Sequence, residues 1–189
     1  MVKKMVVVRV EGMADPIIDS SKAGEYLASI GIDYERWDTS HPLPEDAGEA
    51  QILDAYRSEI ERLKEKGGYL TADLINLSEK TPGLDEMLSK FNKEHWHDED
   101  EVRFTISGHG VFHINTGNHR ITSIEVSRGD LIRIPSRTYH WFDLCEDREI
   151  RAIRLFQNRA GWTPYYTGSG EDLKQQPLCM GPAYFPLRS

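Results

Sequence analysis

His95, His97 and Glu101 are three metal-binding side chain types set at odd positions within one short stretch. Alternate residues of an extended chain share a face, so one strand, plain or bulged, aims all three at a single point. Two imidazoles and a carboxylate form the donor set of non-haem iron sites that handle dioxygen and keep positions open for substrate. Downstream, the stretch running from Gly129 through Pro135 to His140 offers His140 as a fourth ligand. Such a set suits divalent iron, nickel, manganese, cobalt or zinc, and an octahedral ion so held keeps adjacent corners free to chelate a substrate through two oxygens. A structural zinc site would be tetrahedral, closed and usually thiolate-bound, and calcium or magnesium would need more oxygen ligands. These residues point to a catalytic metal.

Arg103 shares the odd face with the three ligands, whereas Val102, Phe104 and Ile106 fill the even face with apolar side chains. An inward guanidinium beside a divalent cation is costly unless a negative group joins it, and an anionic substrate would do so. Glu94 and Asp100 flank the ligands and are expected to accept hydrogen bonds from imidazole N–H groups. Asp98 and Glu99 read as a solvated acidic face. Trp141 and Phe142, following His140, read as pocket walls or as core aromatics. His41, His109, His113 and His119 are set aside as loop or turn residues, or as lacking a paired ligand.

The elements that must position these groups change period halfway. After an opening strand the first half reads helical. A short helix spans 23–30 and ends at Gly31. One amphipathic helix carries Ile52, Leu53, Tyr56, Ile60 and Leu63, with Gly67 and Gly68 as its stop, and a third helix spans 84–91. Beyond 101 short strands follow at 111–115, 121–126, 131–134 and 149–156. Gly108, Gly110, the Thr116, Gly117, Asn118 turn and the Arg128, Gly129, Asp130 turn separate them. This pattern predicts a mainly β fold with α elements: an antiparallel barrel or jelly roll with N-terminal helices packed outside. A single domain is expected over 1–189, with a strand-plus-helix part at 1–91, the metal-binding barrel core at 92–160 and an irregular, proline-containing tail at 175–189.

Composition excludes several classes. With 39% hydrophobic and 29% charged residues the chain is globular rather than disordered. A formal charge of −8 argues against a nucleic-acid partner. No stretch approaches the roughly 20 apolar residues of a membrane span, and Arg9 and Glu11 interrupt the N-terminal apolar run before it could serve as a signal peptide. A cytoplasmic location is the expectation. Only two cysteines occur, Cys145 and Cys179, so neither a disulfide framework nor a thiolate zinc site is expected.

The two histidine-bearing stretches resemble the paired motifs of the cupin superfamily, which implies a small β-barrel with a metal inside. Arg137 and Leu144 stand where the generic second motif has glycine and asparagine. More specifically the chain is similar to the acireductone dioxygenase family. The likeness runs from Asn92 to Phe104 and from Gly129 to Asp143, and includes the Ala152 to Phe156 strand and the Gly161, Trp162 pair. It implies oxidation of 1,2-dihydroxy-3-keto-5-methylthiopentene by dioxygen in methionine salvage, with one Fe(II) or Ni(II) per chain and a monomeric state. It makes His95, His97, Glu101 and His140 the metal ligands and gives Arg103 the substrate dianion. Glu94 is linked to metal incorporation and Asp100 to relaying local conformational change, while Phe91, Phe142 and Arg154 become pocket residues. The alternatives are another metal-dependent cupin oxygenase, an oxalate-degrading enzyme, or a cupin that binds a small molecule without catalysis.

Overall fold

A computed structural model describes residues 6–117, 120–175 and 179. Ten strands and four helices follow in the order β1 (Val7–Val10), α1 (Ser20–Ser29), β2 (Asp33–Arg36), α2 (Glu49–Ala55), α3 (Arg57–Gly67), β3 (Thr71–Leu77), α4 (Leu84–Phe91), β4 (His95–Trp96), β5 (Glu101–Asn115), β6 (Ile121–Ser127), β7 (Asp130–Ile134), β8 (Tyr139–Leu144), β9 (Ile150–Phe156) and β10 (Tyr165–Tyr166). All strand pairs are antiparallel. One half of the sheet runs β1-β6-β5-β8-β4-β10; in the other, β5 pairs β7 and β9, which carry β2 and β3 at the edges. The jelly-roll expectation is borne out, with β5 as the corner that joins the halves.

That corner explains a departure from the sequence reading. Gly108 and Gly110 were expected to separate strands, yet both lie inside the 15-residue β5. Gly108 has φ +71°, and a Cβ there would sit 2.1 Å from the Glu149 carbonyl oxygen. Gly110 makes room for the Phe142 ring, 2.3 Å from where its Cβ would stand. These are glycines of close approach within a bending strand rather than turn glycines.

Two apolar clusters form the core. The first gathers Val6, Val8, Val10, Phe112, Ile114, Ile124, Val126, Ile132, Ile134, Phe142 and Leu144 from both halves of the sheet, with Ala23 and Leu27 of α1 against it. The second packs Val102, Phe104, Leu131, Ile153 and Leu155 under Ile52, Tyr56, Ile60 and Leu63. The helices therefore cover the even face of the first half of β5, as the apolar pattern required.

The single helix expected through 52–63 is two helices. Tyr56 ends α2 and starts α3 with φ −105° and ψ 19°, and its ring packs edge-on against Phe104 at 4.9 Å. The mainly helical reading of the first half also missed β2 and β3. In β3 only Leu77 is buried, so this strand shows none of the alternation that marks a half-buried strand in a sequence. Cys145 and Cys179 form a disulfide, against expectation, with Cα atoms 5.3 Å apart. Of the predicted tail, all but residues 175 and 179 lies outside the described residues. No helix among the described residues is long and apolar enough to cross a membrane.

Candidate metal centre

His95, His97, Glu101 and His140 meet at one place. All four are buried, and each offers a ligand atom within 4.8 Å of the others'. The means differs from the single strand expected. His95 lies in β4, paired with His140 of β8, and Glu101 opens β5. His97 sits between β4 and β5 in an irregular turn that returns it to the cluster.

Hydrogen bonds to main-chain carbonyls fix all three rings. Nδ1 of His95 faces the Lys93 oxygen at 2.6 Å, that of His97 the Thr163 oxygen at 2.9 Å, and that of His140 the Thr138 oxygen at 2.8 Å. A carbonyl only accepts, so each Nδ1 carries the proton and each Nε2 presents a lone pair. Two of these lone pairs face the same carboxylate oxygen: Glu101 Oε2 lies 3.2 Å from His97 Nε2 and 3.1 Å from His140 Nε2. Acceptors so close repel unless a positive charge lies among them, so the donor set fits a divalent cation.

His95 and Glu101 are shifted toward their ligand forms, and His97 away from it. Burial, aided by the neighbouring His140, lowers the His95 pKa to about 4, so this ring is neutral at pH 7. Burial also pushes His97 down, but the contact with Glu101 more than offsets it and leaves that ring above its ordinary value. Burial alone would raise the Glu101 carboxyl; the Arg103 guanidinium and the two histidines instead hold it well below the usual carboxylate range. Glu101 is a carboxylate at any working pH.

Arg103 points inward as the parity argument required. Its Nε lies 2.7 Å from Glu101 Oε1, and its Cζ stands over Phe142 at 4.8 Å, Phe112 at 5.3 Å, Trp162 at 5.5 Å and Phe91 at 5.7 Å. Among the described residues its Nη groups donate to nothing. Arg154 is held by both Asp73 oxygens at 2.8 and 2.6 Å and shares a cavity of about 370 Å³ with Phe91 and Trp162.

Two expected roles need correction. Neither Glu94 nor Asp100 accepts from an imidazole N–H, because main-chain carbonyls already hold all three Nδ1 protons. Glu94 instead accepts from Asn115 Nδ2 at 2.7 Å and from the Thr167 and Ser169 hydroxyls. Asp100 accepts from the Tyr69 hydroxyl at 3.1 Å, Arg133 Nη1 at 2.9 Å and the Ser136 amide at 3.0 Å. Its own carbonyl takes the Trp162 indole N–H at 3.0 Å. Phe142 walls the site, whereas Trp141 lies across β8 and stacks on His113. His109 and His113 belong to β5 rather than to turns; His119 lies outside the described residues.

Phe112 and Trp162 were not singled out as site residues. Phe112 reads as one more core aromatic in an alternating strand, and Trp162 comes from an irregular segment whose approach to Arg103 depends on its bond to Asp100. No spacing in the sequence encodes either contact.

Residues 17–164 match the family model described as the ARD/ARD' family. An acireductone dioxygenase of Exiguobacterium sibiricum is 46% identical over 156 residues, covering 78% of this chain and 87% of the relative. One from Aquifex aeolicus is 40% identical over 153 residues, covering 81% and 83%. Among solved structures, the acireductone dioxygenase from Bacillus anthracis with a cadmium ion in its active centre superposes with a TM-score of 0.81 at 37% identity. The match covers 87% of this chain and 99% of that one.

Proposed function

The chain belongs to the ARD/ARD' family, the acireductone dioxygenases, and we propose on that footing that His95, His97, Glu101 and His140 hold one Fe(II) or Ni(II) beside an Arg103 that receives the substrate dianion. As a member it is a metal-dependent dioxygenase that acts on a small-molecule substrate with dioxygen. The proposed substrate is 1,2-dihydroxy-3-keto-5-methylthiopentene. The proposed products are formate and 4-methylthio-2-oxobutanoate with iron, or formate, carbon monoxide and 3-methylthiopropanoate with nickel. A monomer in the cytoplasm is part of the same reading.

The observation that carries the assignment is the convergence of three Nδ1-protonated imidazoles and one ionised carboxylate, with the free donors of Arg103 alongside. A divalent ion bound there supplies Lewis acidity that makes the doubly deprotonated enediol accessible at neutral pH. Arg103 already offsets Glu101, so the dianion is the substrate form whose charge balances the loaded site, and a buried site tolerates no other sum cheaply. The Nη groups of Arg103 are placed to donate to a substrate oxygen, and Phe91, Phe112, Phe142 and Trp162 keep water from that contact. Arg154, clamped by Asp73, lines the outer cavity beside Phe91 and Trp162. Glu94 braces the segment bearing His95, and Asp100 ties the His97–Glu101 turn to Trp162.

The test is elemental analysis of the purified protein, followed by reconstitution with iron or nickel. Aerobic loss of the acireductone, with carbon monoxide released by the nickel form alone, is the expected result. A fully loaded protein that consumes no oxygen would overturn the reading, and oxygen uptake with another cupin substrate would replace it.

A further inference from the structure

We propose that α4 is the gate of this site: substrate reaches Arg103 when the helix lifts from the end of the barrel, and Leu88 with Phe91 sets the size of side chain that passes. The inference rests on the reading of Arg103 as the substrate-binding group.

The site is shut in this structure. His95, His97, Glu101, His140 and Arg103 are each between 2% and 4% exposed. A substrate with a pentene skeleton must reach Arg103, so an element beside it has to move. Four rings enclose the guanidinium, and they differ in how firmly they are held. Phe112 and Phe142 sit opposite each other in the β5–β8 ladder. Trp162 is tied through its indole N–H to the Asp100 carbonyl, and the neighbouring Thr163 carbonyl holds His97. Lys93, two residues past α4, likewise holds His95, so the helix moves without disturbing the ligands only by bending at its ends, Gly83 and Asn92. Phe91 alone belongs to a loosely packed element.

Of the eight residues of α4 only Leu84 is buried. Met87, Leu88 and Phe91 lie on the same face, resting half-buried against the first core cluster. Space flanks the helix on both sides. Phe91 borders the cavity of about 370 Å³ that also holds Arg154 and Trp162. Asp85, Leu88 and Asn92 border another of about 450 Å³ whose far wall is Phe142. Both volumes fall in the range of small-molecule pockets. The helix begins at Gly83, in the left-handed region at φ +69° with no side-chain cap, a conformation that glycine leaves and regains at low cost. Its polar ties to the rest of the molecule, among the described residues, are peripheral: the Asp85–Arg148 ion pair, and the Tyr166 hydroxyl donating to the Lys90 carbonyl at 3.1 Å. The apolar ones are Leu84 in the core and the half-buried Met87, Leu88 and Phe91 resting on it. Few buried contacts beside open volume define a segment that opens locally while the barrel stays folded.

Hydrogen exchange of the metal-loaded, ligand-free protein tests the gate without any turnover. The amides of α4 should exchange about a hundredfold faster than those of Val111, Phe112 and Ile114 in β5. Replacing both ties, by Arg148→Ala with Tyr166→Phe, should quicken α4 exchange about fivefold and leave β5 unchanged. Saturating acireductone under anaerobic conditions, where it binds but cannot be oxidised, should slow α4 about tenfold. Leu88→Trp, which fills the α4–β8 cavity, should raise KM about tenfold for the methylthio substrate and less than about threefold for a short-chain acireductone. Exchange of α4 as slow as β5, or a Leu88→Trp effect equal for long and short substrates, would overturn the gate. Absence of aerobic turnover would instead strike the assigned function, and the ligand-free exchange would still judge the helix.

Discussion

Arg103 and Phe112 stand on the same strand at positions of opposite parity, yet the guanidinium carbon lies 5.3 Å from the ring centroid on the same side of the sheet. An uninterrupted strand would send them to opposite faces. The β5–β9 register shifts between Thr105 and Ser107, so Ile106 is the extra residue of a bulge that reverses the facing of everything after it. Before the bulge, odd positions carry the polar groups of the site; after it, even positions carry its aromatic wall. This reversal puts a charged group and one of the four rings that enclose it, Phe112, on one strand.

Gly108, two residues past the bulge, is the position where the corner is least forgiving. A methyl group there would meet the Glu149 carbonyl at 2.1 Å, in a backbone conformation that L-residues avoid. Gly108→Ala should destabilise the protein by about 3 kcal/mol, seen as a lowered denaturation midpoint in urea. Gly117→Ala, also at positive φ but with nothing among the described residues within 4 Å of its Cβ, should cost only about 1 kcal/mol. Equal losses would show that conformation rather than close approach sets the cost.

The parity rule placed Arg103 on the side of Glu101 because the first half of β5 obeys it, whereas His95, His97 and His140 were found by residue type and spacing and reach the cluster from β4, a turn and β8. The bulge itself left no mark: Ile106 looks like the next even apolar residue after Val102 and Phe104. β3 was invisible because its side chains are only half-buried, so burial imposed no pattern on them. The tautomers of the three histidines depend on carbonyls of Lys93, Thr138 and Thr163, and a main-chain acceptor carries no sequence signal. The helix pattern through Ile52, Tyr56 and Ile60 kept helical spacing across a real break, because residues on both sides bury against the same strands.

Arg103→Lys keeps a positive charge beside Glu101 but loses the fork of donors enclosed by the four rings. Metal content should remain near wild type, since Glu101 keeps a cationic partner, while kcat/KM should fall about a hundredfold, equal to about 2.7 kcal/mol. Elemental analysis and initial rates on the same preparation check this. Parallel loss of metal and rate would assign Arg103 to holding Glu101 rather than to substrate.

Reduction of the Cys145–Cys179 disulfide, or Cys179→Ser, should lower stability and leave turnover largely intact. The bond closes a segment with a sequence separation of 34, and releasing it restores about 3 to 4 kcal/mol of chain entropy to the unfolded state. Thermal melting with and without reductant should show the difference in wild type and none in the variant.

Arg137 occupies the left-handed region at φ +62°, where the generic cupin motif places glycine. Its amide donates to the His97 carbonyl at 2.8 Å, so the turn conformation is required to hold the ligand segment. Its side chain is 77% exposed, 3.5 Å from Asp98 and 6.0 Å over the Trp96 ring, contacts that add little at the surface. Arg137→Gly should therefore be neutral or stabilising by up to about 1 kcal/mol, and Arg137→Val destabilising by about 1 to 2 kcal/mol.

Metal retention should weaken as the pH falls, because protons and the ion compete for the same Nε2 lone pairs. His97, raised by its contact with Glu101, protonates before His95 on acidification. His95, held by burial to about 4, keeps its lone pair until much lower pH, and Glu101 stays ionised throughout. Affinity measured against a competing chelator should thus fall by at least about tenfold per pH unit once His97 titrates, and more steeply again near pH 4, where His95 joins it. Glu101→Gln removes the group that raises His97, so the onset of loss should move to lower pH even though overall affinity drops. An onset that stays in place would mean that Glu101 does not govern the protonation of His97.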